Sequence, residues 1–254
     1  MLLTIDAGNT NISCGVFDGE QLITKFCFIT KQQRTSDEFA LQFHSIFEVR
    51  KLFEEQITGV IISSVVPSIN DALISAVKSC FNVDPIMITA GIKTGIAINI
   101  DDPKSCGADL IVDCVAAYDK YKRDCLVVDF GTATKFLYIS EKGVFQYGII
   151  SPGLEITASS LWQMTAQLPM VQLSKPSSIL AKNTVSSMQA GIVYGYIGLT
   201  EGIINQIKKE IGHDFPIVAT GGLGRYICPE VDCFDEYDPD LAYKGMKLIY
   251  QKNK

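Results

Sequence analysis

The sequence predicts an α/β protein built from two copies of one unit. Near the start, the apolar run Met1–Ile5 leads into Asp6, and Gly8 follows two residues later. The same order of strand, aspartate, one residue and glycine returns at Asp129 and Gly131. The two aspartates are 123 residues apart (129 − 6), close to half of the 254-residue chain. Such a repeat indicates duplicated domains, which we expect to face each other across a cleft.

The sequence of the first half predicts three antiparallel strands, followed by a helix, a strand, a helix and a strand. This is the order of a ribonuclease-H-like unit. The turn Asp18–Gly19 favours a hairpin. A helix start at Thr35–Glu38 is followed by apolar residues at helical spacing. The predicted strands are 1–5, 14–17, 21–29, 59–66 and 85–88, and the helices begin near residues 35, 69 and 107.

The second half repeats this plan from residue 126, so we expect domains at 1–120 and 121–254. Its strands are predicted at 126–129, 136–139, 147–150 and 217–220, with a helix that carries Trp162, a long helix over about 186–211 and a last helix from Asp240. The long helix carries a glycine stripe, namely Gly191, Gly195, Gly198 and Gly202. Because a helical glycine costs up to about 1 kcal/mol, we expect a close backbone contact there, within the domain or across a dimer interface.

The composition excludes several classes of protein. Hydrophobic residues make up 47% of the chain and the mean hydropathy is +0.21, yet no apolar run approaches the roughly 20 residues of a membrane span. The net charge is −6 and the pI is near 5.0. Without a basic patch, we expect no nucleic-acid binding. Without a basic-then-apolar leader, we expect a cytoplasmic protein.

Eight cysteines and two histidines raise the question of a metal site. No two cysteines have the C-x-x-C spacing of zinc ligands. Most lie in apolar segments, which favours reduced structural thiols over metal ligands or disulfides. His44 and His213 fall in predicted helical segments without partner residues nearby in sequence, so no Ser/His/Asp triad is predicted.

The stretch after Asp6 has the composition of a phosphate-binding turn. Backbone N–H groups and the short polar side chains of Asn9, Thr10 and Asn11 suit phosphate oxygens. Asp6 is a candidate ligand for a divalent cation that bridges the phosphates. A plain hairpin is the alternative, but the second copy at Asp129 favours two loops that grip the ends of a triphosphate.

Over nearly its whole length the sequence resembles the type III pantothenate kinases, within the superfamily of actin, sugar and acetate kinases and heat-shock ATPases. The motifs that carry the resemblance are DAGNTNIS at Asp6, ISSVVPSINDAL at Ile62, GAD at Gly107, VVDFGTAT at Val127, SPGLE at Ser151, KNTVSSMQAGIVYGY at Lys182 and VATGG at Val218. The resemblance implies an actin-like ATPase fold of two ribonuclease-H-like domains flanking an ATP cleft. It also implies ATP-dependent phosphorylation of pantothenate to 4'-phosphopantothenate, the first step of coenzyme A biosynthesis.

The resemblance further implies the site residues and the cofactors. The ATP-binding residues would be Asp6, Ala7, Gly8, Asn9, Thr10, Asn11, Ile12, Ser13, Thr132, Gly221 and Gly222. The substrate would meet Gly107, Ala108, Asp109, Leu110 and Thr184, with Asp109 as the general base. Asp129 would bind a monovalent cation, K⁺ or NH₄⁺, and Mg²⁺ would accompany ATP with Asp6 as its candidate ligand. The protein would be a homodimer that binds pantothenate.

Four positions depart from the family pattern. Leu110 stands where arginine usually follows GAD, and Ile100 stands where an aromatic residue usually precedes the Asp-x-Pro segment. Lys135-Phe-Leu replaces Thr-Phe-Asp, and Met170 replaces the arginine of Leu-Pro-Arg. Because loss of an arginine removes a multi-donor cation, an ATP-binding regulator without kinase activity and a kinase for another acceptor remain alternatives. For Asp109 the structural alternative is a helix cap.

Overall fold

The computed structural model describes residues 1–31 and 33–254, which form two compact units. Unit 1 contains Met1–Ala97, Asp101–Ala116 and Leu241–Lys254, and unit 2 contains Ile98–Ile100 and Ala117–Asp240. The ranges 1–120 and 121–254 differ from these units chiefly at the C-terminal segment, which belongs to unit 1.

In each half three consecutive strands come first, and helices and further strands follow. The strands are β1 (Leu2–Ala7), β2 (Asn11–Asp18), β3 (Gln21–Ile29), β4 (Gly59–Ser64), β5 (Ile86–Met87), β6 (Ala97–Ile98), β7 (Cys125–Phe130), β8 (Ala133–Ile139), β9 (Val144–Pro152), β10 (Ile217–Thr220) and β11 (Glu236–Tyr237). The helices are α1 (Ser36–Arg50), α2 (Asn70–Phe81), α3 (Ala108–Tyr121), α4 (Leu154–Gln163), α5 (Thr184–Ile211), α6 (Gly224–Ile227) and α7 (Leu241–Asn253).

The two sheets have the same strand order, which confirms the duplicated ribonuclease-H-like plan. The first sheet runs β3-β2-β1-β4-β5. The second runs β11-β10-β7-β8-β9, with β6 added beside β9. In each sheet the first strand pairs antiparallel with the second and parallel with the fourth. Both Asp-x-Gly stretches therefore follow the central strand of a sheet at its carboxyl end.

Unit 1 packs aromatic residues of α1 against the first sheet. Phe39, Phe43 and Phe47 are buried at helical spacing, and Phe43 meets the edges of Phe28 and Phe81. The helix begins as predicted: the side chain of Thr35 caps it and forms a reciprocal capping box with Glu38, which satisfies backbone donors that the first turn leaves unpaired.

Helix α7 packs on the first sheet and on α3, and this contact explains why the C-terminal segment belongs to unit 1. Tyr243 lies against Gly15 of β2, on the face of the sheet that also bears Thr4. At Gly245 the approach is backbone to backbone, because a Cβ built there would lie 1.9 Å from the carbonyl oxygen of Val112. The sequence pattern of α7 showed its helical character but not its partner.

The glycine stripe of α5 lies on the exposed side of that helix. A Cβ built at Gly191, Gly195, Gly198 or Gly202 would meet nothing within 4 Å. The helix buries its other side, including Ile192, Tyr196 and Ile204. The expectation that the stripe packs within its own domain is therefore wrong, and the dimer alternative stays a prediction.

The cysteine and histidine side chains have the surroundings of structural residues. The eight cysteines, all among the described residues, form no disulfide bond, and Cys14, Cys114 and Cys125 are buried. His44 and His213 bond the carboxylates of Glu54 and Asp124 at 3.1 and 2.8 Å. His213 lies just past the end of α5 rather than within a helix, since Gly212 is the C-cap. Within 1–31 and 33–254, no helix is long and apolar enough to cross a membrane.

We expect Gly245→Ala to lower the stability of the protein by about 1–3 kcal/mol, because the added methyl group must push α7 away from α3. Chemical denaturation followed by circular dichroism measures the change. The control is Gln251→Ala, an exposed position of α7, which should stay within about 0.5 kcal/mol of the unmodified protein. Equal unfolding midpoints for the two variants would contradict the backbone contact.

Candidate active site

The first candidate loop joins β1 to β2 through a tight turn. The backbone N of Gly8 donates to the carbonyl oxygen of Asn11 at 3.0 Å. Thr30 holds the turn from the end of β3: its backbone N donates to Thr10 O at 2.9 Å, and its Oγ1 donates to Gly8 O at 2.7 Å. The side chains of Asn9, Thr10 and Asn11 are exposed on this fixed backbone. Sequence reasoning found the loop but missed Thr30.

Asp6 lies in an oxygen-rich setting at the end of β1. Its neighbours across the sheet are Ser13 on β2 and Ser63 on β4, and directly opposite residues share one face. The buried Ser63 Oγ has no hydrogen-bond partner among the described residues. Mg²⁺ takes oxygen ligands, commonly one or two carboxylates together with substrate phosphates. The residues at this strand end therefore fit the magnesium ion that the family resemblance implies.

Asp109 is the second residue of α3, and its carboxylate folds back over Gly107. A Cβ built at Gly107 would lie 2.3 Å from Asp109 Oδ1, so this orientation needs a glycine. The carbonyl oxygen of Gly107 accepts hydrogen bonds from the backbone N of Leu110 and of Ile111, so Gly107 holds the N-cap position. Asp109 sits in the first turn, where the helix macrodipole favours a negative charge.

Val65 brings the two segments of unit 1 together. Its backbone N donates to the carbonyl oxygen of Ala7 at 3.0 Å, next to the first loop. Its Cγ1 lies 3.4 Å from the Cβ position of Gly107. The sequence motif that contains Val65 did not predict that this residue connects the first loop with Gly107, because the contact depends on the parallel pairing of β1 with β4.

Cys106 is the nearest thiol to Asp109 along the chain. Burial, and then the charge of Asp109, raise the pKa of the Cys106 thiol to about 11. The thiol therefore stays protonated near neutral pH and does not compete as a nucleophile.

The second candidate loop follows β7 and is closed by two glycines from elsewhere in unit 2. The backbone N of Gly153 donates to Thr132 O at 3.2 Å, and a Cβ built at Gly153 would lie 2.2 Å from that oxygen. Gly221 has a φ of +86°, and its Cβ would lie 2.5 Å from both Asp129 Oδ1 and Phe130 O. These positions accept only glycine. Asp129 therefore lies against the turn after β10, and Thr132 lies against Gly153 at the start of α4.

The turn at Gly221 is itself held in place. The carbonyl oxygen of Gly221 accepts hydrogen bonds from Gly224 N at 3.1 Å and from Tyr237 Oη at 2.9 Å. The backbone N of Leu223 donates to Phe130 O at 3.2 Å. Gly222 is exposed, with open space around its Cβ position. Tyr237 had no signal in the sequence, because its role depends on the pairing of β10 with β11.

Asp129 forms an ion pair with Lys135. The two residues lie directly opposite each other on β7 and β8. Lys135 Nζ is 2.7 Å from Asp129 Oδ2, and the two side chains are 15% and 13% exposed. The sequence marked Lys135 only as a departure from the family pattern. Hairpin pairing around the predicted turn was the signal that could have placed it opposite Asp129.

The remaining candidate residues lie in separate places. Thr184 is the exposed first residue of α5, which Asn183 caps. Leu110 is partly buried in the first turn of α3, and Met170 is 78% exposed. Unit 1 thus carries residues 6–13 and 107–110, and unit 2 carries Asp129, Thr132, Thr184, Gly221 and Gly222.

Comparison with known proteins assigns this arrangement to a family. The sequence model described as type III pantothenate kinase matches residues 2–206. The chain belongs to this family. A type III pantothenate kinase from Agathobacter rectalis is 49% identical over 99% of this chain and 97% of its own length. Another, from Syntrophus aciditrophicus, is 44% identical over 100% of both chains.

Solved structures support the fold of this pantothenate kinase family member. A Baf-family protein from Campylobacter jejuni aligns with a TM-score of 0.58 and 21% identity over 99% of this chain and 98% of its own. Component A of (R)-2-hydroxyglutaryl-CoA dehydratase from Acidaminococcus fermentans aligns with a TM-score of 0.51 and 13% identity over 100% of this chain and 99% of its own. At these identities the likeness shows the fold, which is that of the actin-like ATPases.

We expect Gly221→Ala to lower the thermal midpoint of the nucleotide-free protein by several degrees, because the left-handed backbone and the nearby oxygens exclude a methyl group at a cost of about 1–3 kcal/mol. The control is the adjacent Gly222→Ala, whose Cβ position is open, and its midpoint should not fall. Differential scanning fluorimetry without ATP compares the two. A fall in both midpoints, or in neither, would contradict the assigned packing.

Proposed function

We propose that the protein transfers the γ-phosphoryl group of ATP to a hydroxyl group of pantothenate, giving 4'-phosphopantothenate, the first step of coenzyme A biosynthesis. The observation that carries this proposal is the full-length similarity to curated type III pantothenate kinases, one of which is 49% identical over 99% of this chain. The side chains that the chemistry needs are retained at Asp6, Asp109 and Asp129.

The proposal assigns the ATP phosphates to residues 6–13 and to Thr132. Phosphoryl transfer depends mainly on positioning and on electrostatic stabilisation. The turn closed by Gly8 and held by Thr30 supplies a fixed backbone with exposed polar side chains. Gly221 and Gly222 would border the adenosine, and the exposed, open surroundings of Gly222 suit that role.

Asp6 is the proposed ligand of Mg²⁺ in this reaction. The ion, when bound with ATP, would neutralise charge on the phosphate oxygens. The hydroxyl groups of Ser13 and Ser63 share its face of the sheet, so they offer further polar atoms at this position. The regular pairing of β1 with β2 and β4 holds the carboxylate at the strand end.

Asp109 is the proposed general base. Its carboxylate would accept the proton of the pantothenate hydroxyl as the hydroxyl oxygen attacks the γ-phosphorus atom, and ADP leaves with the electrons of the broken P–O bond. Gly107 leaves room for the observed orientation of this carboxylate. Gly107, Ala108, Leu110 and Thr184 are the proposed substrate contacts. Leu110 offers apolar surface where the family pattern has an arginine, so the substrate's charged end would need another partner.

We expect Asp109→Asn to lower kcat by about two orders of magnitude or more, since a positioned base contributes about that factor. A coupled ADP-release assay with ATP, Mg²⁺ and pantothenate measures it, and calorimetry should show ATP affinity almost unchanged. Asp119→Asn, an exposed position on the same helix, is the control and should keep full activity. If the unmodified protein binds ATP but transfers nothing to pantothenate, the kinase proposal fails and an ATP-binding regulator replaces it.

The proposal includes a homodimer located in the cytoplasm. The exposed glycine stripe of α5 leaves backbone open to a second helix, and small residues permit such close approach. Exposed apolar residues of unit 2, including Leu180 at 82% exposure, add apolar surface to the same unit. The buried thiols of Cys14, Cys114 and Cys125 suit a reducing compartment.

We expect Gly198→Leu to convert the dimer to monomers without lowering the stability of the monomer, because the leucine meets open space within the chain but overpacks a helix pair. Sedimentation velocity measures the assembly. The control is Glu210→Leu, an exposed position in the last turn of α5 and off the stripe, which should leave the sedimentation coefficient unchanged. A Gly198→Leu variant that sediments as the unmodified dimer would rule out an interface at the stripe.

A further inference from the structure

The contact between Lys135 and Asp129 places a positive charge at a position where the family resemblance implies a free ion. Lys135 Nζ lies 2.7 Å from Asp129 Oδ2, within hydrogen-bond distance. Both side chains are largely buried, at 15% and 13% exposure. Because the residues are directly opposite on paired strands, the backbone fixes the approach of the ammonium group.

A free K⁺ or NH₄⁺ ion does not fit beside this carboxylate. The ion would have to share Asp129 Oδ2 with an ammonium group that already binds it, and two like charges at such a distance repel each other. The other oxygen, Oδ1, faces the backbone of Gly221, at 2.5 Å from the position that a Cβ would have there, so Oδ2 with its bound ammonium group decides the fit. The residues present therefore disagree with a free monovalent cation bound to Asp129.

We propose that the ε-ammonium group of Lys135 is a built-in monovalent cation, so that phosphoryl transfer by this protein requires neither K⁺ nor NH₄⁺. An alkylammonium carries the same single charge as these ions and donates hydrogen bonds as NH₄⁺ does. The proposal rests on the proposed kinase function and assigns a positioning role to Lys135, which acts through Asp129.

The electrostatic reason for a cation at this position lies in the second loop. Asp129 adjoins the turn of Gly131 and Thr132, which is proposed to meet phosphate. Without a neighbouring cation, the carboxylate would repel the phosphate oxygens. Lys135 removes that repulsion from within the chain, and the threonine that the family usually has at this position has no charge with which to do so.

The experiment compares turnover in K⁺, in NH₄⁺ and in choline at equal ionic strength. We expect the unmodified protein to show kcat/KM values within about twofold in all three salts. We expect the kcat/KM of Lys135→Thr in choline to be about tenfold or more below that of the unmodified protein, as for loss of one charge-assisted contact. In K⁺ or NH₄⁺ the kcat/KM of this variant should recover. Lys142→Thr, an exposed lysine in the next turn, is the control and should behave as the unmodified protein.

A second measurement separates this inference from the kinase proposal. Thermal unfolding without ATP should respond to K⁺, relative to choline, in Lys135→Thr but not in the unmodified protein. The inference is overturned if K⁺ or NH₄⁺ activates the unmodified protein tenfold. It is also overturned if Lys135→Thr shows no K⁺ response in thermal unfolding. Absence of transfer to pantothenate in every salt, with these thermal responses as expected, would instead overturn the kinase function and leave the lysine assignment standing.

Discussion

Backbone segments of unit 2 meet beside the end of β7 with no room for a side chain between them, and the second loop depends on this contact. Carbonyl oxygens of the loop fill the space that a Cβ would need at Gly153 and at Gly221. Glycine costs chain entropy, but here it lets strand ends and turns touch directly. Asp129 and Thr132 are therefore positioned by rigid backbone rather than by flexible side chains, which suits a reaction governed by positioning.

The two copies of the unit keep one backbone plan and differ in chemistry at the same point. Asp6 and Asp129 are each the penultimate residue of a central strand. The residues opposite Asp6 are serines on both sides, whereas Asp129 lies between Lys135 and Thr220. An aspartate among hydroxyl groups suits a divalent cation and its phosphates, while one paired with an ammonium group is already neutralised. Duplication supplied the frame, and the neighbouring strand residues set each aspartate's role.

Features that depend on local sequence were predicted well, and those that depend on distant contacts were not. The capping box at Thr35 and the hairpins after both aspartates follow from residue preferences over a few positions. The C-terminal helix was assigned to the wrong neighbours because the close contact of Gly245 with Val112 joins segments 133 residues apart (245 − 112). The glycine stripe of α5 shows the same limit, since spacing shows that glycines share a face but not what that face meets.

The meaning of Lys135 shows why a departure from a family pattern must be judged by its contacts. In the sequence it counts as a lost threonine next to a phosphate loop, which suggests a weakened site. In the structure it adds a tethered cation to Asp129. A tethered cation loses conformational entropy once, when the chain folds. A free ion loses translational entropy each time it binds from solution. The partial burial of the pair also limits screening by salt. On the proposed assignment, the substitution would remove a dependence on the surrounding medium while keeping the charge balance of the loop.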